Sequence, residues 1–458
     1  MKYFSTRDKK LSFNFKDIFL RGLAPDGGLF LPSDIKKYSS SEIKSLSQLT
    51  YIDLATEIIS NFCNPDLKRT KLRSLIEDAY KNFDNKEVVK INKIGDINLL
   101  ELYNGPTLAF KDIALQVIGN MYDELKIAEI KKVNIIVATS GDTGSAAISA
   151  LSGRKNINVF VLHPNNKISN IQRKIMTSID SENIYNLAIE GTFDDCQKIV
   201  KDMFADNQFR EKINMSGVNS INWARIICQI VYYFYAAFKF LDKKMNFSVP
   251  TGNFGDIYAG YVAKKMGLPM GKLIVATNEN NILQRVINTG EYKPGLVRPS
   301  LSPSMDIQVS SNFERLLYDV LNYNDKKVSS LMENLKSQGY FELNKEEVEN
   351  IKINFNAFKV SDEETLKIIN DFDSKYNFIL DPHTATAVGA SYQIKNNLDT
   401  IVLGTAHPYK FLETIKQATG KEVKPPKHFS NILDKKEKYD ILDNKVSEIK
   451  NYILGKIK

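Results

Sequence analysis

An α/β fold built on mostly parallel sheets is predicted for this chain, and three observations predict it. Short apolar runs recur from about residue 96 onward, each ends in a turn that usually carries glycine, and each turn opens into a helical pattern. The units are VNIIVAT before SGDTGSAAISAL, INVFVLHP before SNIQRKIMTSI, NFSVPT before GNFGDIYAGYVAKKMG, and TIVLGTAHP before YKFLETIKQAT. A strand feeding a helix that returns to a parallel strand places ligands where strand C-termini meet helix N-termini.

The rest of the chain is placed around these units. Residues 1–95 alternate short helical patterns with Lys-rich and Ser-rich links, as in YSSSEIKSLSQLTYIDLATEII, where Ser ahead of an acidic and apolar run marks a helix start. This segment is read as a mainly helical extension without a chemical motif, bracing a cleft or forming an interface. Trp223 to Leu241 is rich in Ile, Val, Tyr and Phe, but it also carries Arg225, Gln229 and Lys239. Those polar side chains favour a buried helix in a large core over a membrane span. Residues from about 320 to 375 are rich in Lys, Glu and Asn with helical periodicity, and are read as a helical insertion.

Composition narrows the function classes. A chain of 458 residues with 43% hydrophobic content is too long for one core, so two or three sub-domains are expected. The net charge of +8 comes from scattered lysines and forms no basic block, which reads as solubility and speaks against nucleic-acid binding. Cys63, Cys196 and Cys228 are too far apart for a disulfide framework or a CxxC metal site, so a reducing compartment and no metal are expected. The stretch MKYFSTRDKKLSF has no continuous apolar region of the kind that directs export, and a cytoplasmic location is expected.

Several short motifs carry candidate chemistry. In VPTGNFGD, Gly252 and Gly255 stand between a strand and the helical pattern near Ile257, where backbone N–H groups and the helix dipole attract an anion. An ordinary strand-to-helix turn explains the same residues, and the spacing fits neither a Walker A loop nor a dinucleotide turn. In SGDTGSAA, Ser140, Asp142 and Thr143 surround Gly141 and Gly144, either to grip a carboxylate or simply to cap a helix. In NGPTLAFKD, Lys111 lies beside an apolar run at a helix start. Desolvation and the dipole there lower a lysine's pKa toward the neutral amine, although a surface lysine in a first helical turn is the plain alternative.

GTAHPYKF offers Thr405 and His407 at a strand end, with a structural turn as the rival reading for the histidine. SINWAR presents Asn222 and Arg225 one turn apart, suited to an anionic group or to helix capping. DPHTATA supplies Asp381 or Thr384 as a further cap.

Taken together and in order, NGPTLAFKD, SGDTGSAA, SINWAR, VPTGNFGD, DPHTATA and GTAHPYKF resemble threonine synthase, of the longer type with an N-terminal extension. LRGLAPDGGLFLP, from Leu20 to Pro32, is similar to that family's opening, so the resemblance runs from about residue 20 to about 415. It implies a pyridoxal phosphate enzyme of the fold type that includes the tryptophan synthase β subunit, with the cofactor in a cleft between two α/β domains. The larger, cofactor-binding domain would comprise 96–130 with 231–458, and the smaller, closing on substrate, 131–230.

By the same resemblance Lys111 is the catalytic lysine and holds the cofactor as a Schiff base. Gly252, Asn253, Phe254, Gly255 and Asp256 surround the cofactor phosphate, and Thr405 meets the pyridine nitrogen. Ser140, Gly141, Asp142 and Thr143 match the loop at the substrate carboxylate and the cofactor's O3′ side. Many relatives have Asn at the place of Asp142, and a carboxylate beside a phenolate is repulsive unless it is protonated or turned away.

The implied reaction takes O-phospho-L-homoserine and water to L-threonine and phosphate by γ-elimination and β-addition of water, the last step of threonine biosynthesis. Lys111 would act as acid and base in turn. Arg225 with Asn222 is the candidate site for the substrate phosphate, with Lys167 and Arg173 as rivals. A serine or threonine deaminase of the same fold is the nearest alternative, but such enzymes lack the PTLAFKD context and the GTAHPYKF end. A non-enzymatic binding module and a nucleotide-binding protein are further alternatives. A monomer or homodimer acting on a small molecule, away from membranes, is expected.

Overall fold

The structure is a computed structural model that describes residues 1–125 and 132–457. Two sheets organise it. In the larger, the strands run Phe355–Lys359, Met270–Thr277, Met245–Pro250, Thr400–Gly404, Ile97–Glu101 and Lys90–Ile94 from edge to edge. The first five are mutually parallel, and the last folds back as an antiparallel hairpin on Ile97–Glu101. The smaller sheet is parallel throughout, in the order Asp440–Asp443, Ile184–Glu190, Ile157–Pro164, Val133–Ala138 and Met215–Ser216.

Strands such as Val133–Ala138 and Ile157–Pro164 are buried on both faces because helices cover both, as a parallel sheet requires. The α/β class expected from the strand–turn–helix units is the one observed.

Trp223–Phe238 forms the expected buried helix, with every residue from Trp223 to Ala237 buried. It packs against the N-terminal helix Tyr51–Cys63 and the helices Gly255–Lys265 and Lys111–Glu124, which explains its apolar surface on all sides. Among the described residues no helix is long and apolar enough to cross a membrane. The N-terminal extension contains helices Phe15–Arg21, Ser40–Leu46, Tyr51–Cys63 and Arg69–Tyr80. Asn14 and Ser39 close reciprocal capping boxes with Asp17 and Glu42.

Three placements differ from the sequence expectation. Lys90–Ile94, grouped with the extension, is an edge strand of the larger sheet. The 320–375 stretch yields helices Asp325–Ser337, Lys345–Lys352 and Asp362–Tyr376, but it also contains the strand Phe355–Lys359. Phe355 and Ala357 alternate inward there, a two-residue period too short to stand out from the surrounding helices. The tail, grouped with 231–458, crosses over instead: Asp440–Asp443 pairs with Leu187–Glu190, and Ile449 and Ile453 fill the core beneath the smaller sheet.

Candidate active site

The parallel strands of both sheets deliver their turns to one cavity of about 1620 Å³. Four helices begin at its wall, Lys111–Glu124, Asp142–Leu151, Trp223–Phe238 and Gly255–Lys265, and Lys111, Asp142, Arg225 and Gly255 line it. Their unsatisfied N–H groups and positive dipole ends make such a cavity receptive to anions. Residues 20–27 and Leu29 of the N-terminal extension form part of the same wall, so the extension contributes to the cleft itself.

Lys111 is held by a tightly stitched loop. Asp112, fully buried, accepts from the Thr107 N–H at 2.8 Å and from its hydroxyl at 2.7 Å, closing NGPTLAFKD onto the helix start. Burial pushes the Asp112 carboxyl up to about 6 against these hydrogen bonds. Leu108 sits in the left-handed region with φ of 59°, which costs a non-glycine residue about 1–2 kcal/mol. Its carbonyl accepts from the His407 N–H at 3.1 Å, and the Phe110 N–H donates to the Thr405 carbonyl at 2.9 Å. These bonds bring Thr405 and Lys111 to one side of the cavity although 294 positions separate them in the sequence.

Asp142 is the hub of the polar contacts. Its Oδ2 accepts from Lys111 Nζ at 3.0 Å and from the Ser304 hydroxyl at 3.2 Å, and its Oδ1 accepts from Gln172 Nε2 at 3.0 Å. Lys410 Nζ lies 2.5 Å from Oδ1 and also donates to the Thr107 carbonyl at 2.9 Å. Burial by itself raises the Asp142 carboxyl, but Lys111 and Lys410 outweigh it and hold the group well below the usual carboxylate range. Burial also lowers Lys111, with Asp142 opposing the shift and Lys410 and Arg225 adding to it. An ionised Asp142 is therefore compatible with the site, because two cations neutralise it.

The turn Gly252–Asp256 is braced by the loop 302–312. Ser310 donates its hydroxyl to the Gly252 carbonyl at 2.7 Å, and Asn312 donates its side-chain amide to the Asn253 carbonyl at 2.9 Å. A Cβ on Gly252 would lie 2.9 Å from the Ser304 carbonyl oxygen, so only glycine fits beneath that loop. Phe254 adopts left-handed φ of 63°, held by its ring packing against Phe313 and Phe355 at centroid distances of 5.5 and 5.6 Å. One left-handed non-glycine residue at the cavity wall, Phe254, and another in the loop that carries Lys111, Leu108, mark strain of the kind that positions functional groups.

Asp256 accepts from the hydroxyls of Tyr232 and, at 2.9 Å, Tyr233 through Oδ1, while Oδ2 has no partner among the described residues. Burial raises this carboxyl to about 6, with the two tyrosines, Arg225 and Lys111 opposing. A raised folded pKa means stability that is present below about pH 4 and lost as pH rises through about 6. Asp256→Asn removes that loss. Its stability relative to the unsubstituted protein is expected to improve by roughly 3 kcal/mol between pH 4 and 7, measured by urea unfolding across that range; a flat difference would refute the assignment.

Ser140 and Thr143 line the cavity with Lys111, Asp142, Arg225, Thr405 and residues 252–256. Gly141 does not. It turns with φ of 136° beneath Gln172, whose side chain would meet a Cβ at 2.7 Å. Asn222 is a correction: it is fully buried, donates to the Phe19 carbonyl at 3.0 Å and accepts from the Ala224 N–H at 3.0 Å. Helix capping consumes its amide and leaves nothing for a phosphate.

Lys167 donates to the Gly191 carbonyl at 2.9 Å and Arg173 pairs with Glu437 at 2.8 Å; neither lines the cavity. His407 caps a turn by accepting from the Tyr409 N–H at 3.1 Å. Asp381 caps its helix and meets His383 Nδ1 at 3.0 Å, while His383 Nε2 accepts from the Ser304 N–H at 3.2 Å. Lys410, His383, Ser304 and Gln172 are the site residues sequence reasoning missed. Lys410 lay inside GTAHPYKF, and its lysine next to an aromatic pair was the available signal.

Comparison with known proteins places this geometry. The chain matches the family models for the threonine synthase N terminus over residues 2–80, for pyridoxal-phosphate dependent enzymes over 93–403, and for the threonine synthase C-terminal region over 384–453. It is 42% identical to threonine synthase of Pseudomonas aeruginosa, over 99% of this chain and 98% of that one. Against threonine synthase of Saccharomyces cerevisiae it is 42% identical over 91% of this chain and 88% of the relative. The crystal structure of pyridoxal-phosphate-bound threonine synthase from Brucella melitensis superposes with a TM-score of 0.95 at 40% identity, covering 100% of both chains. With a buried lysine in a cavity walled by four helix starts and matches to these models over residues 2–80 and 93–453, the chain belongs to the threonine synthase family of pyridoxal-phosphate dependent enzymes.

Proposed function

We propose that this chain converts O-phospho-L-homoserine and water to L-threonine and inorganic phosphate with pyridoxal phosphate bound in the cavity. The observation that carries the reading is Lys111 Nζ, buried and with lowered proton affinity, in the same cavity as the braced turn Gly252–Asp256. The residues fit the cofactor. Lys111 supplies the amine for its aldehyde, the helix start at Gly255 and the glycine turn suit its phosphate, and Thr405 offers a hydroxyl to its ring nitrogen. When bound, the cofactor supplies an electron sink conjugated to the substrate's amino group, which acidifies the protons of the substrate's α- and β-carbons.

The remaining work falls to the chain. Lys111, whose proton affinity burial lowers, takes the α-proton and then a β-proton as phosphate leaves the γ-carbon. Water adds its oxygen at the β-carbon, and the lysine returns protons to the α- and γ-carbons, so that one amine serves several transfers. Ser140 and Thr143, at the start of helix Asp142–Leu151, orient the substrate carboxylate against that helix's N–H groups. Asp142, ionised between Lys111 and Lys410, fixes the direction of the lysine amine.

Purified protein supplied with pyridoxal phosphate is expected to release phosphate and threonine in equal amounts from O-phosphohomoserine. It is expected to leave serine and threonine undeaminated. Phosphate release without threonine, or deamination of threonine, would point to a lyase of the same fold instead.

A further inference from the structure

Arg225 was expected at the substrate's phosphate, and its surroundings bear on which anion it meets. It lies in the first turn of Trp223–Phe238 and is 2% exposed. Its Nη1 donates to the Val218 carbonyl at 3.2 Å, and its Nε has no partner among the described residues. Arg315, equally buried, shows how this chain treats a guanidinium meant to be structural. It donates to the carbonyls of Phe30 at 3.1 Å and Ile221 at 2.7 Å and to the Asn312 side chain. A buried cation left short of partners is strongly unfavourable, so Arg225 calls for an anion from outside the chain.

Gln229, one turn further along the same face, also lines the cavity; its Oε1 and Oδ2 of Asp256, both unpartnered among the described residues, are acceptors and do not themselves attract an anion. Asp256 is not hydrogen-bonded to Arg225: its Oδ1 accepts from Tyr232 and Tyr233, and its Oδ2 has no partner among the described residues.

The position of Arg225 selects the anion. A Cβ on Gly255 would lie 3.5 Å from the Ser220 carbonyl oxygen and 3.6 Å from Ile226 Cδ1, so the start of Arg225's helix abuts the start of Gly255–Lys265. Two helix N-termini and one guanidinium thus converge beside the turn Gly252–Gly255. Resting on the functional reading above, we propose that Arg225 is the counter-ion of the cofactor's own phosphate, completing the Gly252–Gly255 turn, and that the substrate's phosphate is held by other groups.

The test compares two ligands that differ only in the phosphate. Holoenzyme is dialysed free of cofactor, and absorbance titrations give the affinities for pyridoxal phosphate and for pyridoxal in the unsubstituted protein, Arg225→Met and Arg225→Lys. Arg225→Met is expected to weaken pyridoxal phosphate on the order of 10²-fold, the loss of charge-assisted hydrogen bonds, while pyridoxal changes by less than about threefold. Arg225→Lys keeps the charge and the aliphatic stem and is expected to lose roughly tenfold; it carries the test if the methionine variant fails to fold. Equal losses for both ligands would reveal a structural role and overturn the proposal, as would pyridoxal phosphate affinity within about twofold of the unsubstituted protein. Failure of the unsubstituted protein to bind pyridoxal phosphate at all would overturn the functional reading as well.

Discussion

Lys111→Ala is expected to lower turnover by about 10³-fold or more while leaving the fold intact. The size follows from the role proposed for this amine: general acid–base transfer by a placed side chain contributes about 10²–10⁴-fold, and the proposed function has the lysine perform several transfers as well as hold the cofactor. The fold survives because Asp142 keeps Lys410 at 2.5 Å and Gln172 at 3.0 Å when the lysine is removed. Lys111→Arg separates the roles, since it keeps a cation beside Asp142 but offers no nucleophilic amine; it is expected to be as inactive as alanine and closer to the parent in stability. Borohydride reduction of the holoenzyme followed by peptide mapping should label Lys111. A label on another lysine, or near-normal turnover in the alanine variant, would remove Lys111 from the centre of the mechanism.

Lys410→Met is expected to destabilise the protein by about 3–5 kcal/mol, the usual cost of deleting one partner of a buried ion pair. Lys410 is 0% exposed and bridges Asp142 to the Thr107 carbonyl, so its loss leaves a buried carboxylate and a buried carbonyl short of donors. Under the proposed function the effect should be largest with cofactor bound, because Lys111 would then be committed to it and Lys410 would be left facing Asp142. Asp142→Asn in the same chain should recover part of the loss, since a neutral amide does not need the counter-charge. Urea unfolding of the two single variants and the double variant measures this as a coupling energy. Strict additivity would show that Lys410 and Asp142 do not act as a pair.

Local chemistry in the sequence determined the elements and most of the cavity's wall. The apolar runs ending in glycine turns led to parallel strands, and NGPTLAFKD, SGDTGSAA and VPTGNFGD do face one cavity, because a parallel sheet sends successive turns to the same edge. Patterns this local survive in sequence because each residue's role is set by neighbours a few positions away.

Tertiary structure alone decided the rest. Lys410 and Asp142 stand 268 positions apart in the sequence, and the lysine beside two aromatic residues in GTAHPYKF does not say which carboxylate it meets on the other sheet's first helix. Asn222 and Arg225 looked alike as polar residues at one helix start, yet Asn222 is spent on the cap while Arg225 keeps an Nε without a partner among the described residues. The tail's strand reads as a polar edge, and only its partner Leu187–Glu190 assigns it to the smaller sheet. In each case the deciding quantity is how many hydrogen-bond partners or apolar neighbours the folded chain brings to a side chain from distant segments. That count does not exist until the segments meet.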